Sequence, residues 1–145
     1  MIALLQRVQH ASVKVDSNIV GEINKGILLF IGVEKNDNQE KASRLSERFL
    51  SYRVFSDAQD KMNLSVTDVN GGVLLVPQFT LAADTDKGNR PSFSSAAPPQ
   101  LGQQLFDYLV KQTRQNYDTV ATGQFGADMK VSLLNDGPVT FWLQV

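Results

Sequence analysis

The sequence predicts an α+β fold: a mixed, curved, barrel-like β-sheet with two main helices packed on one side. Three observations support it, namely about seven apolar runs of strand length, two stretches with apolar residues at helical spacing, and an element order that does not match a βαβαβ series. The chain has 145 residues, a length that favours one domain over residues 1–145. Two helices cannot cover every apolar strand face, so we expect a homodimer to cover the rest.

The first half of the chain is predicted to consist mainly of strands. Apolar and polar residues alternate over 11–16, which is typical of a half-buried strand. The turn DSN at 16–18 leads into a second strand, IVGEI, at 19–23. The run GILLFIGV at 26–33 is apolar enough to form a central strand that is buried on both faces.

Both predicted helices have a start signal. Asp37 followed by Glu40 has the spacing of a capping box, and the Pro98-Pro99 pair suits the first turn of a helix. The apolar face of the first helix consists of Ala42, Leu45, Phe49 and Tyr52, and that of the second consists of Leu101, Leu105, Tyr108 and Leu109.

The second half adds a buried strand, a long loop and a hairpin. Two glycines lead into the apolar run GGVLLVPQF at 71–79, and 82–97 form a loop rich in Asp, Gly, Ser and Pro. We expect 128–145 to form a closing hairpin with Asn135-Asp136-Gly137 at its turn. Pro138 then stands where the returning strand should begin to pair, although proline has no N–H to give to a ladder.

Composition excludes several kinds of chemistry. The chain has no cysteine and a single histidine, His10. Disulfides, thiolate nucleophiles, Cys-ligated zinc and His-rich metal sites are therefore excluded, and we expect no metal or cofactor. A Ser-His-Asp triad could only be built on His10, which we expect to be an ordinary strand residue.

Charge and hydropathy limit the partners and the compartment. The formal net charge is −1, so any nucleic acid would have to bind to a local basic patch. No apolar run approaches the length of a membrane span, and MIALLQRVQH does not look like a signal peptide. We therefore expect a cytoplasmic protein with no membrane partner.

The stretch VPQFTLAADTDKGNRPSF at 76–93 is the first candidate for chemistry. Gln78, Phe79 and Thr80 follow a buried strand, at a point where backbone amides can face a ligand. In a functional interpretation, the Phe79 and Thr80 amides are oxyanion donors and Thr80 also offers a hydroxyl. The alternative is a plain strand that runs into a surface loop. Lys87 and Arg90 are the candidates for phosphate contacts.

The stretch FGADMKVSLLNDGPVT at 125–140 is the second candidate. Met129 shares a strand face with Val131 and Leu133, which is typical of a core position. The Gly137-Pro138 bond lies at a predicted turn, where the ordinary expectation is a trans proline, since only about 5–6% of X–Pro bonds are cis.

Arg7 is the third candidate. It shares strand parity with Leu5 and Val13, so an unbroken strand would direct it toward the apolar side. An unpaired buried guanidinium is very costly. Arg7 therefore needs acceptors, and backbone carbonyls are one kind that could satisfy it.

Taken together, these stretches resemble the D-aminoacyl-tRNA deacylase (D-Tyr-tRNA deacylase) family almost from end to end. The matching motifs are LLQRV near the start, KMNLSV at 61–66, QFTL at 78–81, KGNRPSF at 87–93 and TGQFGADMKVSLLNDGPVT at 122–140. Several long motifs in the right order are more specific than any single motif. In one departure, Pro77 stands at the serine position of the family's Ser-Gln-Phe-Thr, so a role for that hydroxyl does not carry over.

The resemblance implies a homodimeric, tRNA-binding hydrolase that acts in translation quality control. Such an enzyme releases D-amino acids from the 3′-terminal adenosine of tRNA, acts on glycine attached to tRNA, and rejects L esters. In the family the Gly-Pro bond is cis, and its two carbonyls enter the active site of the partner subunit. The expected catalytic residues are Gln78, Phe79 and Thr80; the expected substrate-binding residues are Gly137, Pro138, Met129 and Arg7; and Lys87 and Arg90 are expected to bind tRNA.

Two rival functions remain open at this point. Thr80 could be the covalent nucleophile of a general esterase, although the only candidate bases are His10, lysines and carboxylates. The chain could also be a non-catalytic RNA-binding module, although it is nearly neutral and has no stripe of aromatic and basic residues.

Overall fold

The computed structural model describes residues 1–145 as eight strands, two α-helices and one short 3₁₀ helix. The strands are β1 (Ile2–Val15), β2 (Asn18–Ile23), β3 (Gly26–Gly32), β4 (Phe55–Ser56), β5 (Met62–Leu64), β6 (Gly72–Pro77), β7 (Val120–Thr122) and β8 (Lys130–Gln144). The helices are α1 (Gln39–Ser51) and α2 (Pro99–Asn116), and the 3₁₀ helix covers Phe79–Ala82. The two predicted helices are confirmed. The strand number is eight instead of about seven, because two strands of three residues, β5 and β7, were not predicted and the two strands of the expected hairpin are one strand, β8.

The main sheet is mixed and nearly closed. Its strands follow the order β2-β1-β3-β6-β7, and β8 pairs with β1. β1 is antiparallel to its three neighbours, whereas β6 is parallel to both β3 and β7. β2 and β7, at the two ends of this order, lie so close that a Cβ on Gly21 would clash with the carbonyl of Thr122. The expected barrel-like sheet with a central β3 is therefore confirmed.

Both helices pack on one face of this sheet, as predicted. A cluster of 22 buried residues joins that face to α1 and α2, and it includes the fully buried Phe49 and Leu109. A buried hydrogen bond of 2.9 Å between Ser46 Oγ and Thr113 Oγ1 connects the two helices. The opposite face carries a second cluster of 7 buried residues, mainly from β1 and β6. β6 is apolar throughout because it contributes side chains to both clusters.

The start of α1 differs from the predicted capping box. Asn38 is the N-cap, and its side-chain oxygen accepts a hydrogen bond of 3.0 Å from the Lys41 amide. Asp37 is buried instead, and it accepts from the Met1 ammonium at 2.7 Å, the Glu34 amide at 2.7 Å and Lys41 Nζ at 3.0 Å. The prediction was wrong because Asp37 and Asn38 are both good caps, and charged donors hold the aspartate elsewhere.

The predicted closing hairpin is also wrong. β8 is one strand, and both of its halves pair with β1: Asn135 lies opposite Val8, and Thr140 lies opposite Gln6. Residues 136–139 have no partner on β1 and form a bulge between the two paired halves. Pro138 lies in this bulge, so its missing N–H costs no ladder hydrogen bond.

The remaining helix boundaries follow the predictions closely. α2 begins at Pro99, and its buried side includes Leu105 and Leu109 together with Phe106, which the sequence did not single out. α1 ends at Ser51, one residue before Tyr52. No helix combines the length and the apolar character that a membrane span requires.

Candidate active site

A cavity of about 730 Å³ opens where β6 ends. Its walls come from the end of β6, the loop segment at 96–99, the first turn of α2 and the segment at 125–129. Most of the lining side chains are apolar, including those of Phe79 and Met129. Gln78 also lines the cavity. An apolar cleft with a few polar groups at a strand end is a typical ligand site.

The end of β6 leaves backbone amides free of strand pairing. β7 ends opposite Leu75, so the β6–β7 ladder needs no hydrogen bond from the nitrogen of Pro77. The Gln78 amide still bonds a β3 carbonyl at 2.8 Å. The chain then enters the 3₁₀ helix, and its first amides, those of Phe79 and Thr80, have no acceptor within that helix. Two neighbouring N–H groups are thus left for a ligand beside the cavity.

Thr80 is exposed, and its side chain does not line the cavity. Its hydroxyl accepts a short hydrogen bond from Gln78 Nε2, and no carboxylate, lysine or histidine is hydrogen-bonded to it. His10 lies exposed on β1, as the strand pattern predicts. The arrangement therefore provides no general base for a Thr80 nucleophile, which disfavours the general esterase.

Aromatic and thioether side chains shape the cavity. Phe79 is 59% exposed and packs against Phe93 of the loop at 83–98, with ring centroids 5.1 Å apart. Met129 Sδ lies 3.4 Å from the Gln124 amide, and a Cβ on Gly123 would be only 2.8 Å from that sulfur. Met129 also packs against the second core cluster. It is thus half-buried against the core rather than part of it, since it lies just before β8 and not in the predicted strand, and it is also part of the cavity wall.

The β8 bulge presents exposed main chain. Gly137 and Pro138 are both exposed, and the peptide bond between them is cis. Gly137 has a φ of 123°, a conformation that favours glycine. A Cβ at this position would lie 2.9 Å from Arg7 Nη2 and 2.8 Å from Val139 Cγ2. A side chain here would therefore be crowded as well as strained.

Arg7 holds the bulge from β1. Its Nη1 donates to the Val54 carbonyl at 2.7 Å and its Nε to the Asp136 carbonyl at 3.2 Å, while Nε also lies 3.3 Å from the Asp136 carboxylate. The side chain is only 14% exposed, so the expected inward orientation with carbonyl acceptors is confirmed. Arg7 is on the side of Leu5, whereas Val13 belongs to the other cluster because the register of β1 shifts between them.

Asn135 is a second brace, which the sequence analysis missed. Its Nδ2 donates to the Arg7 carbonyl and to the Val139 carbonyl, both at 3.0 Å, and thereby ties the two sides of the bulge together. Its Oδ1 accepts from the Thr140 hydroxyl at 3.3 Å. Asparagine in the run Asn-Asp-Gly is equally typical of an ordinary turn, so the sequence carried no signal for this role.

Within one chain, the cavity and the bulge are separate. Neither Arg7, Gly137 nor Pro138 lines the cavity. The predicted site residues therefore fall into two groups: Gln78, Phe79, Thr80 and Met129 at or beside the cavity, and Arg7, Gly137 and Pro138 at the bulge. Lys87 and Arg90 belong to neither group; both are exposed on the loop at 83–98 and take part in no ion pair.

Comparison with known sequences gives full-length matches. The model of the family described as D-Tyr-tRNA(Tyr) deacylase matches residues 4–144. A D-aminoacyl-tRNA deacylase from Cronobacter sakazakii is 60% identical over 145 residues and covers 100% of both chains. One from Janthinobacterium sp. is 62% identical and covers 100% of this chain and 97% of its own, and one from Escherichia coli is 59% identical over the whole of both chains.

Comparison with solved structures gives matches of the same fold over almost the whole chain. A structure of a c-Myc DNA Unwinding Element Binding Protein has a TM-score of 0.96 at 36% identity and covers 100% of this chain and 99% of that one. A probable eukaryotic D-amino acid tRNA deacylase has a TM-score of 0.88 at 16% identity, covers 99% and 98% of the two chains, and shares the fold. The chain therefore belongs to the D-Tyr-tRNA(Tyr) deacylase family, which makes it a hydrolase, a D-aminoacyl-tRNA deacylase.

Proposed function

We propose that this enzyme hydrolyses the ester between a D-amino acid and the 3′-terminal adenosine of tRNA, accepts glycyl-tRNA in the same way, and rejects L-aminoacyl-tRNA. One observation carries the proposal: within one chain, a cavity with free backbone amides is separate from an exposed bulge whose main chain is braced. Neither is a complete active site. Brought together across the two subunits of a homodimer, they supply oxyanion donors and rigid main-chain acceptors.

The hydrolysis itself requires few catalytic groups from the protein. An aminoacyl ester is already activated, and one oxyanion donor is worth about 2.7–4 kcal/mol. Water adds to the ester carbonyl carbon, and the Phe79 and Thr80 amides stabilise the oxyanion. The C–O bond to the ribose then breaks, which releases the amino acid and restores the ribose hydroxyl. The neighbouring 2′-OH of the substrate takes the place of a protein base, since the one carboxylate that lines the cavity, Asp128, is exposed and paired with Lys130.

Selection of D over L esters comes from the bulge. Carbonyl oxygens of Gly137 and Pro138 accept hydrogen bonds from the α-amino group of the substrate and leave no room for an L side chain. Side-chain pockets separate substrates that differ by one methylene by only about 1–3 kcal/mol. A braced main chain discriminates more strongly, because an L ester would have to deform it. Glycine has no side chain to exclude, so it is hydrolysed as well.

Exposed apolar side chains on β8 support the homodimer. Leu134, just before the bulge, and Trp142, just after it, are each 52% exposed. Both residues lie on the strand that carries the bulge, and a two-fold interface buries the same surface of both subunits. A dimer formed through β8 carries each bulge to its partner.

Binding of the tRNA involves the loop at 83–98. Lys87 and Arg90 contact phosphates, which positions the substrate without reading its stereochemistry. The same loop carries Phe93, which packs against Phe79 at the cavity, so the two cations belong to a segment that borders the site. We place the enzyme in the cytoplasm, as part of translation quality control.

Subunit complementation tests the shared site. Gly137→Ala crowds the bulge, and Ala127→Trp fills the cavity, because Ala127 is part of its lining. We expect both homodimers to lose activity on D-aminoacyl-tRNA. A heterodimer of the two variants, purified with two different tags, has one site with neither defect and should recover about half of the wild-type activity.

The heterodimer also gives the opposing result. If each site were built within one chain, every site of the heterodimer would carry one defect, and the heterodimer would be as inactive as the two homodimers. The wild-type dimer is the reference. A variant that does not dimerise would be detected by its size in solution before activity is measured.

A further inference from the structure

A second cavity, of about 830 Å³, lies along α2. We call it the α2 groove; it is lined by one side of α2, by Val20 of β2 and by residues 122–125 at and after the end of β7. Phe106 and Phe125 line both this groove and the active-site cavity, and their ring centroids are 6.5 Å apart. The α2 groove is thus adjacent to the candidate active site, with these two aromatic side chains at the boundary.

The lining of the α2 groove is mainly polar, whereas that of the active-site cavity is mainly apolar. Its charged and carboxamide side chains are Gln103, Asp107, Lys111, Arg114, Gln115 and Gln124. Lys111 and Arg114 are exposed and take part in no ion pair, although Asp107 stands one helical turn before Lys111. Two cations against one carboxylate give the groove a positive charge, in a chain whose net charge is −1.

We propose that the α2 groove binds the single-stranded nucleotides that precede the terminal adenosine of tRNA. The inference rests on the proposed function, because it needs the terminal adenosine to occupy the neighbouring cavity. The preceding nucleotides must then leave that cavity past its edge. The boundary at Phe106 and Phe125 leads into a groove that has the charge to receive them.

The chemistry of the α2 groove suits unpaired nucleotides. Lys111 and Arg114 neutralise phosphates, and the ring of Phe125 offers a face for stacking. The carboxamides of Gln103 and Gln124 can donate to and accept from the edges of unpaired bases. In a duplex those edges are engaged or hard to reach, so the carboxamides would find fewer partners there.

The test compares two RNAs and one double variant. Affinity is measured for uncharged tRNA with its complete 3′ end and for the same tRNA without its single-stranded 3′ nucleotides. For Lys111→Ala/Arg114→Ala, we expect affinity for the complete tRNA to fall about tenfold, and the slope of log affinity against log salt to fall by about 1.4, since each single-strand phosphate contact contributes about 0.7. Affinity for the shortened tRNA should equal that of the wild type.

Two further variants make the test sharper. Arg44→Ala/Lys61→Ala removes the same charge from residues that line neither cavity, so the salt slope should stay near that of the wild type. Asp107→Asn removes the one carboxylate of the groove and should tighten binding of the complete tRNA only. Arg114 lies in the last turn of α2, where a cation also stabilises the helix, so the melting temperature of each variant is measured alongside.

Two results would overturn the inference: an unchanged affinity of the double variant for complete tRNA, or an equal loss for the shortened tRNA. A minimal substrate separates this failure from a failure of the proposed function. D-aminoacyl-adenosine has no preceding nucleotides, so the double variant should hydrolyse it at the wild-type rate. If the wild type itself did not hydrolyse D-aminoacyl-tRNA, the proposed function would fail, whatever the groove binds.

Discussion

The end of β6 at 77–80 and the β8 bulge at 136–139 are built in opposite ways. At the end of β6, the one side-chain hydrogen bond joins Gln78 to Thr80, and two backbone amides are left open. At the bulge, Arg7 and Asn135 donate four hydrogen bonds to main-chain carbonyls. The end of β6 is suited to stabilise charge that develops during a reaction, whereas the bulge is suited to keep a fixed conformation.

In the proposed function, this contrast separates catalysis from selection. Open amides stabilise an oxyanion whatever the configuration of the amino acid, whereas a braced main chain can exclude one enantiomer. Changes at the bulge should therefore alter both activity and the preference for D esters. Changes at the end of β6 or in the loop beside it should alter rate or affinity and leave that preference intact.

The largest effect is expected for Gly137→Ala. The new Cβ would lie under 3 Å from Arg7 Nη2 and Val139 Cγ2 and would strain the φ of 123°, so the bulge or the side chains that contact it must shift. A misplacement of about 1 Å costs about a hundredfold in rate, and we expect a loss of that order in kcat/KM on D-aminoacyl-tRNA. Gly88→Ala is the control, because Gly88 has a φ of 72° but nothing within 4 Å. An equal loss in both variants would mean that crowding at the bulge is not the cause.

Arg7→Ala should come next. It leaves the carbonyls of Val54 and Asp136 without their charged donor, and hydrogen bonds to charged groups contribute about 1.5–3 kcal/mol. We expect the free energy of unfolding, measured in urea, to fall by about that amount, together with activity on D esters. Arg7→Lys keeps the charge but lacks the planar fork that reaches both carbonyls. Its losses of stability and activity should therefore be somewhat smaller than those of Arg7→Ala. If Arg7→Ala kept wild-type stability and activity, Arg7 would not be needed to hold the bulge.

Asn135→Ala tests the second brace. Its loss leaves the Val139 carbonyl of the bulge and the Arg7 carbonyl of β1 without this donor. We expect this to lower stability by about 1–3 kcal/mol and to reduce the ratio of D to L hydrolysis. Asn116 is the matched control, since its side-chain amide donates to the Gln112 carbonyl on the exposed surface of α2. If Asn135→Ala and Asn116→Ala have the same D to L ratio, the bulge does not depend on this brace for selection.

Thr80→Ala should have a smaller effect. The amide at this position remains, and only the hydroxyl that accepts from Gln78 Nε2 is lost. We expect deacylation to slow without being abolished, with the D to L ratio unchanged in a rate assay on both esters. Complete inactivity, or an acyl-Thr80 adduct detected by mass spectrometry in the wild type, would instead indicate covalent catalysis.

Lys87→Ala and Arg90→Ala should have the smallest effect on the chemistry. Both residues are exposed, and phosphate contacts position tRNA without reporting stereochemistry. We expect weaker tRNA binding and a salt slope lower by about 0.7–0.9 per variant, with an unchanged D to L ratio. A wild-type affinity and salt slope would remove this loop from the tRNA-binding surface.

Local patterns were sufficient to predict most of the fold. The apolar runs of β3 and β6 and the Pro98-Pro99 pair at the start of α2 predict their structures directly, because burial on both faces and a fixed φ leave few alternatives. The hairpin at 128–145 was wrong for a physical reason. The run NDGP indicates that strand pairing stops. However, β1 is 14 residues long, so β8 can resume pairing with β1 after the bulge.

Part of the candidate site was also predictable from the sequence. Arg7 could be found because a cation at an apolar strand position must have acceptors, and Gln78 to Thr80 because a strand end frees backbone amides. Asn135 could not be found, since its two acceptors lie on different segments of the chain. The α2 groove was missed as well. Polar side chains on an exposed helix face look the same in sequence whether or not a strand end lies opposite them.

The most direct test of the account is a crystal structure with a non-hydrolysable D-aminoacyl-adenosine amide. We predict that the adenosine lies in the cavity at the end of β6 of one subunit, with its carbonyl oxygen toward the Phe79 and Thr80 amides. The α-amino group should donate to main-chain oxygens of the partner subunit's Gly137 and Pro138, at about 2.7–3.2 Å. An α-amino group held by side chains of the same subunit, with both bulges facing solvent, would contradict the account.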